Sequence, residues 1–304
     1  MHHRRNASAS LVWATLAVGC SAPITYGQPA EVLGKGKIQV ALGTGVSAST
    51  STYDLLESAG VQMKDLYARS RSSECQADKL KCVRASQLDG IVKATYTSGL
   101  AGLVGPVLDI SAKYGIAQGL ALGGRMTNGT LRGDVDWQAF QTGSWAGALT
   151  LSYAYQKGEV PGVQSLLDKV QLDDFYRHYA EIVFAAGMQI GQWGWLSFGP
   201  RLGFSKYHID MKMGIDLPFY DDIGIMDPAT RAAQGAINSL PKTDADGTAL
   251  APGGFINFFV GWKYVWLGAE LSAVYHRATA MLLGQQETFA ALQVQPTVFL
   301  MTRF

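Results

Sequence analysis

The feature that most constrains this chain is an alternation of apolar with small or polar residues at a period of two. It begins near residue 36 and is interrupted by short turns that contain glycine. Leu108 and Ile110, for example, fall on one face of an extended chain, and Asp109 and Lys113 fall on the other. Such alternation is the signature of β-strands, and pairs of alternating segments joined by tight turns predict antiparallel hairpins. Because the pattern recurs along the rest of the chain, the sequence predicts an all-β fold.

The polar faces favour a membrane-spanning β-barrel over a soluble β-sandwich, which remains the alternative. A soluble sandwich would expose a face rich in Lys, Glu and Thr. Here the polar faces carry Gly, Ala and Ser with isolated charges, and only 16% of all residues are charged. Aromatic residues lie toward the ends of the apolar faces, where a transmembrane barrel has its interfacial girdles: Tyr114, Trp137, Trp145, Tyr155, Tyr264 and Tyr275.

Short and long connections alternate along the chain, which is typical of barrels with short inner turns and long outer loops. Long connections are predicted at 48–105, 156–175, 207–252 and 279–288. Counting back from Phe304, with both ends of the barrel on the inner side, predicts an up-and-down antiparallel transmembrane β-barrel of about ten strands, within a range of 8–12. The predicted strands span 36–47, 106–115, 119–128, 130–141, 144–156, 176–190, 194–209, 253–264, 266–278 and 289–304.

Charge and the length of apolar runs exclude several other classes of protein. The 25 Lys and Arg residues nearly balance the 24 Asp and Glu residues, and this net charge of +1 predicts no nucleic-acid partner. After the N-terminal region, no apolar run reaches the roughly 18 residues that a transmembrane helix requires. No metal site and no cofactor are predicted.

The first 27 residues are predicted to be a secretory signal peptide, followed by the barrel over 28–304. Basic residues precede an apolar stretch and then a small and polar one, which is the order found in signal peptides. Two processing positions stay open. One is cleavage after Gly27. The other is lipoprotein processing before Cys20, because the run Leu16 to Cys20 resembles a bacterial lipobox, and lipidation of Cys20 is the favoured hypothesis.

The two remaining cysteines lie in the first long loop region, 48–105. If Cys20 carries lipid, Cys75 and Cys82 form an even pair in an exported and oxidising compartment, which predicts a disulfide between them. A zinc site is not predicted, because this segment has no CxxC spacing and no nearby histidine.

Two stretches carry a resemblance to known proteins. Val32 to Val40 and Asp109 to Ile116 resemble uncharacterised bacterial outer-membrane β-barrel proteins, some of them predicted lipoproteins. Phe304 is similar to the aromatic end of the last strand that such barrels present to the barrel assembly machinery. The resemblance implies a location in the bacterial outer membrane. It also implies outer-membrane lipid and the assembly machinery as partners. Separately, the basic residues of the first long loop, Arg69, Arg71, Lys79, Lys81 and Arg84, predict lipopolysaccharide as a partner, although a solvated loop is the alternative interpretation.

Charged residues on the polar faces are predicted to line the lumen, where charges must pair or stay hydrated. They are Asp109, Lys113, Arg125, Arg132, Asp134, Asp136, Arg177, Glu181, Arg201, Lys263 and Glu270. Together with Lys37 and Arg303 they predict an excess of positive charge. A lumen enclosed by about ten strands is too narrow for a broad diffusion pore, so it is predicted to be plugged or to hold a narrow, water-filled path.

These features predict a narrow channel for small polar or anionic solutes, or a structural or surface-binding barrel, and no enzyme. An outer-membrane lipid-modifying enzyme, of the deacylase or phospholipase type, is the alternative from another class. Such enzymes keep catalytic groups near outer strand ends, where His178, His208 and His276 lie. Alternation directs only His276 inward, and no hydroxyl and acid can be paired with it from sequence, so girdle histidines are predicted.

Overall fold

The computed structural model describes residues 24–49, 61, 105–157, 170–213, 243–282 and 285–304. Within these residues, ten antiparallel strands form one closed barrel. The strands are β1 (Ile38–Ser49), β2 (Gly105–Ala117), β3 (Leu120–Thr127), β4 (Thr130–Thr142), β5 (Trp145–Lys157), β6 (Val170–Ile190), β7 (Gly194–Met213), β8 (Thr243–Trp262), β9 (Val265–Leu282) and β10 (Gln285–Arg303). Each strand pairs with its neighbours in sequence, and β1 closes the sheet against β10. The predicted up-and-down antiparallel barrel is confirmed.

No helix among the described residues has the length and apolar character needed to cross a membrane.

The two ends of the barrel differ in how their strands are connected. At one end, which we call the turn end, two or three residues join β2 to β3, β4 to β5, β6 to β7 and β8 to β9. At the opposite loop end, 50–104, 158–169 and 214–242 separate the strands that they connect. The long connection predicted at 279–288 is wrong, because β9 and β10 stay paired as far as Leu282 and Gln285.

Several strands extend further toward the loop end than the sequence predicts. β6 begins at Val170 rather than 176, and β8 begins at Thr243 rather than 253. In the added part of β8, the outward residues Asp246 and Thr248 are polar. The contrast between apolar and polar faces therefore disappears there, although the backbone ladder continues.

A two-residue turn joins β3 to β4 at the loop end of the barrel. Asn128 and Gly129 both have positive φ angles, 45° and 80°, as a type I′ turn requires. The Asn128 side chain accepts a hydrogen bond from the backbone N–H of Leu108 at 2.9 Å. The turn is thereby fixed against β2, and the barrel wall is low on this side.

Alternation places the predicted apolar residues on the outside of the barrel. In β6, Ile182 is 50% exposed, while its neighbours Glu181 and Val183 are buried inside. Equivalent outward positions on the other strands form a continuous band of exposed Leu, Ile, Val and Phe side chains. The outward band includes all six aromatic residues that the sequence assigned to girdles: Tyr114, Trp137, Trp145, Tyr155, Tyr264 and Tyr275.

The interior is less uniformly small and polar than the sequence predicts. At the turn end, an apolar cluster with bulky members fills the lumen: Ala41, Ala146, Trp195, Phe259, Trp266, Phe299 and Met301. Of the consecutive residues Phe258 and Phe259, Phe258 is on the outer face, as the alternation around Asn257 predicts, and Phe259 is inside. The adjacent Gly43 makes room for Phe299, because a Cβ at Gly43 would lie 2.5 Å from that ring.

A charge introduced on the outward face tests this assignment of faces. Replacing Ile182 with Arg is expected to destabilise the folded barrel by about 2–4 kcal/mol, since the guanidinium would face hydrocarbon near the middle of the band. Denaturant unfolding in lipid vesicles measures the change. Ile182→Leu, the matched control, should change stability by less than about 1.5 kcal/mol. Equal stability of the Arg variant and the control would contradict the assignment.

Candidate functional site

A stretch of chain before β1 runs inside the barrel, and we call it the lumenal segment (residues 24–33). Ile24, Thr25 and Ala30 are fully buried, and Tyr26 is 1% exposed. The sequence did not predict this placement. Because the segment occupies the lumen, the residues that bind it define the candidate functional site.

Residues 34–37, which follow the lumenal segment, pass the rim of the barrel at the turn end and lie against β2. The backbone N–H of Gly36 donates to the carbonyl of Gly115 at 2.7 Å, and the N–H of Gly115 donates to the carbonyl of Lys37 at 2.9 Å. Gly115 has to lack a side chain, because a Cβ there would lie 2.1 Å from the carbonyl oxygen of Gly34.

Three buried charged side chains hold the backbone of the inner half of the segment. Arg125 donates to the carbonyl oxygens of Thr25 and Tyr26, each at 2.5 Å. Glu270 accepts from the N–H groups of Tyr26 and Gly27, each at 2.7 Å. Arg201 donates to the carbonyl of Ile24. The lumen therefore binds the peptide groups of the segment through buried charged side chains.

Polar side chains hold the outer half of the segment near the turn end. The Asn257 amide donates to the carbonyl of Gln28 at 2.9 Å, and the Ser197 hydroxyl accepts from the N–H of Ala30 at 3.1 Å. Gln138 uses both ends of its amide, accepting from the N–H of Val32 at 2.7 Å and donating to the carbonyl of Ala30 at 3.3 Å.

Glu31 meets Arg303 at the rim. The Arg303 guanidinium donates to the Glu31 carboxylate at 3.1 Å and to its carbonyl at 3.2 Å. Both side chains are partly exposed.

Apolar side chains of the segment fill two gaps in the barrel interior. Ile24 joins Ala154, Tyr179, Ala251 and Val274 in one buried cluster. Tyr26 and Ala30 join Val183, Ala185 and Phe255 in another, and the ring centroids of Tyr26 and Phe255 are 4.5 Å apart. Small residues of the barrel strands thus face the larger residues of the segment.

The charged residues around the segment form a connected network. Lys113 Nζ lies 2.6 Å from Asp136, and Arg132 lies 2.6 Å from Asp134. Glu181 bridges two strands, because its carboxylate contacts Arg132 at 2.9 Å and also Arg201. The hydroxyl of Tyr179 donates to the same carboxylate at 3.0 Å.

Other buried charged residues beside this network make contacts of their own. Arg125 lies 3.7 Å from Asp109, which also accepts from the Thr25 hydroxyl at 3.0 Å. Arg177 donates to the side-chain amide oxygen of Gln156 at 2.7 Å.

The structure buries ten of the eleven residues predicted for the lumen network: Asp109, Lys113, Arg125, Arg132, Asp134, Asp136, Arg177, Glu181, Arg201 and Glu270. The assignment of Lys263 is wrong. It lies in the β8–β9 turn with a φ of 52°, is exposed, and has its ammonium 5.8 Å from the Trp262 ring centroid. Alternation cannot be extended through a turn.

The predicted positive excess is also wrong for the described lumen. Five buried cations face five buried anions there. Lys37 and Lys263 are exposed at the turn end, and Arg303 is at the rim with Glu31.

The histidines have the orientations that alternation predicts. His178 is on the outer face, with Nδ1 2.6 Å from the Tyr153 hydroxyl, and His208 is on the same face, 2.9 Å from Asp246. His276 is inside and buried, with Nε2 2.7 Å from the amide oxygen of Gln293. No group of three or more His, Cys, Asp or Glu among the described residues could hold a metal ion. Cys20, Cys75 and Cys82 lie outside the described residues.

Comparisons with known proteins found fold similarity and nothing closer. No protein-family model matches the chain, and no curated protein matches it. The attachment invasion locus protein Ail of Yersinia pestis aligns with a TM-score of 0.30 and 8% identity, covering 89% of this chain and 99% of Ail. Neisserial surface protein A aligns with a TM-score of 0.32 and 9% identity, covering 88% of this chain and 96% of that protein. Similarity at this level assigns no function to the chain.

The sequence indicated the lumenal segment only indirectly, through the narrow lumen that the strand count implies. The strand count predicted a lumen that is plugged or holds a narrow, water-filled path, but no pattern marks the residues that fill it. The first four residues of the segment were assigned to the signal peptide, because small and polar residues after an apolar stretch are typical of a cleavage region.

Removing the charge of Glu181 tests the network. Replacing Glu181 with Gln leaves Arg132 and Arg201 without their shared carboxylate in a buried site. We expect the barrel to lose about 3–5 kcal/mol in denaturant unfolding. The matched control is Glu31→Gln, which breaks a partly exposed ion pair and should cost less than about 1 kcal/mol. Equal losses would mean that the inner charges do not depend on one another.

Proposed function

We propose that this protein is a bacterial outer-membrane barrel with a closed lumen, which acts as a structural or surface-binding protein and not as an open channel. The observation that carries the proposal is the lumenal segment, whose backbone is bound by Arg125, Arg201 and Glu270 in the buried interior. A solute crossing the barrel would have to displace peptide groups from these buried charged side chains.

The outer surface supports a location in a membrane. A closed barrel satisfies its backbone hydrogen bonds internally, as hydrocarbon surroundings require. Exposed aromatic residues bound the apolar band, with Trp137, Trp145 and Tyr264 among those near the turn end and Tyr155 and Tyr275 toward the loop end. Short turns at one end and long connections at the other are typical of the periplasmic and outer sides of outer-membrane barrels.

The charge balance of the lumen disfavours an anion channel. Selective conduction of anions would require an excess of positive charge along the path. The buried lumen instead carries equal numbers of cations and anions, joined by contacts such as Lys113 to Asp136 and Arg132 to Asp134. These paired charges stabilise the interior, and their electric fields largely cancel along the path that an ion would take.

Conductance measurements test the closed lumen. Folded protein in planar bilayers is expected to show no discrete conductance steps at neutral pH. Folding is checked in the same sample by the shift in electrophoretic mobility on heating, and insertion by flotation with lipid vesicles. Reproducible unitary steps from folded, inserted protein would support the narrow channel and end the closed-lumen proposal.

The loop-end surface offers a contact for outer-membrane lipid, which we propose as a partner. One register row on the outer face contains Tyr155, His178, Lys206, Thr248, Thr279 and Thr288. This row marks the change from apolar to polar surface. Lys206 and Thr279 line a surface recess of about 350 Å³, and Arg277 faces outward nearby on β9. Two cations beside hydroxyl groups at this level suit the phosphates of a glycolipid headgroup. Asp246 also lines the recess, and its carboxylate lies 2.9 Å from His208.

Thermal unfolding in detergent tests the lipid contact with a defined probe. Bisphosphorylated lipid A should stabilise the protein more than its dephosphorylated form. Lys206→Gln combined with Arg277→Gln should weaken the apparent affinity by roughly thirtyfold, at about 1 kcal/mol for each cation. Lys263→Gln, at the opposite rim, is the matched control and should bind as the unaltered protein does. Equal stabilisation by both lipids would contradict the contact.

A further inference from the structure

We infer that the mature protein retains Ile24 to Gly27, so that its processing takes place before Cys20 and not after Gly27. The lumenal segment carries this inference, which shares the segment with the proposed function but holds whether or not the barrel conducts. Processing before Cys20 keeps residues 24–27 in the mature protein, and cleavage after Gly27 removes them. The contacts of these four residues therefore distinguish the two processing positions.

Cleavage after Gly27 would strip partners from three buried charged groups. Arg125 would lose both of the carbonyl oxygens to which it donates, and Glu270 would lose both backbone N–H donors. Arg201 would lose the carbonyl of Ile24. Arg201 would keep Glu181 and Glu270 would keep Ser272, whereas Arg125 would keep, among the described residues, only Asp109, at 3.7 Å. Loss of hydrogen bonds from buried charged groups is costly in a protein interior.

Cleavage after Gly27 would also empty two apolar gaps. Ile24 packs among Ala154, Tyr179 and Val274, and Tyr26 stacks near Phe255. Barrel strands cannot close around the lost volume, because their spacing is fixed by the closed ladder of hydrogen bonds. The new ammonium group at Gln28 would add a cation to a lumen whose buried charges are already balanced.

Processing before Cys20 leaves all of these contacts intact, and the covalent chain has the reach that it requires. The Cα of Cys20 lies at most about 14 Å from that of Ile24 in an extended chain. Thr25 bonds to Asp109, which also accepts from Thr127, the last residue of β3 before the low β3–β4 turn. Thr25 is therefore linked through Asp109 to the end of β3 at the β3–β4 turn.

Mass spectrometry of the protein purified from membranes of its natural host tests the inference. Trypsin should release an N-terminal peptide that contains Ile24 to Gly27 and begins at a lipid-modified Cys20. A peptide that begins at Gln28 would overturn the inference, as would any start after Ile24. Conductance through a barrel that retains Ile24 would defeat the proposed function and leave this inference standing.

A variant at Cys20 tests the processing position in a second way. Cys20→Ala removes the thiol that accepts lipid, so the precursor should accumulate with its N-terminus uncut, whereas cleavage after Gly27 would give the ordinary mature mass. Cys75→Ala is the matched control and should be processed normally.

Gly27→Ala tests whether residue 27 belongs to the folded barrel. Gly27 has a φ of 63° and its Cβ would lie 3.0 Å from the Phe299 ring, so the variant should lower the thermal midpoint of the mature protein. Gly133→Ala, where a Cβ meets nothing within 4 Å, is the control. If both variants melt like the unaltered protein, residue 27 is absent from the mature barrel and the inference fails.

Discussion

Neutralisation of charge inside a narrow barrel is the constraint on which the rest of this structure depends. Lys113 meets Asp136, Arg132 meets Asp134, and Glu181 joins Arg132 to Arg201. These contacts do not complete the interior. Arg125, Arg201 and Glu270 find remaining partners in the peptide groups of residues 24–27, so the lumen is filled by charge pairing and backbone binding together.

The same alternation that turns charges inward turns hydrocarbon side chains outward. A slip of one residue in β6 would place Glu181 outside and Ile182 inside, and both would then be in unfavourable surroundings. The register of every strand is therefore fixed twice, once by the polar lumen and once by the apolar outer surface. Irregularity occurs where it is useful: the register shift between Gln138 and Phe140 coincides with the glutamine whose amide binds Ala30 and Val32.

Prediction from sequence succeeded where the residues of a single strand were sufficient to assign its inner and outer faces. The faces of Asp109, Glu181 and Ile182 followed from their immediate neighbours, and the strand count followed from repeated hairpins. It failed at turns and strand extensions, where one face no longer differs from the other. Lys263 was placed in the lumen by extending a pattern into a turn. The extension of β8 toward Thr243 was missed because the outward residues Asp246 and Thr248 interrupt the apolar face.

The sequence by itself determined the barrel, its approximate strand number and the inward position of the charge network, because a period of two is a local property that every strand repeats. Only the tertiary structure decided that residues 24–33 fill the lumen and that the buried charges balance. Tyr26 and Glu270 are 244 positions apart, yet the N–H of one donates to the carboxylate of the other. Contacts of this kind leave no periodic trace in the sequence, because they depend on how a closed sheet brings distant side chains around a shared axis.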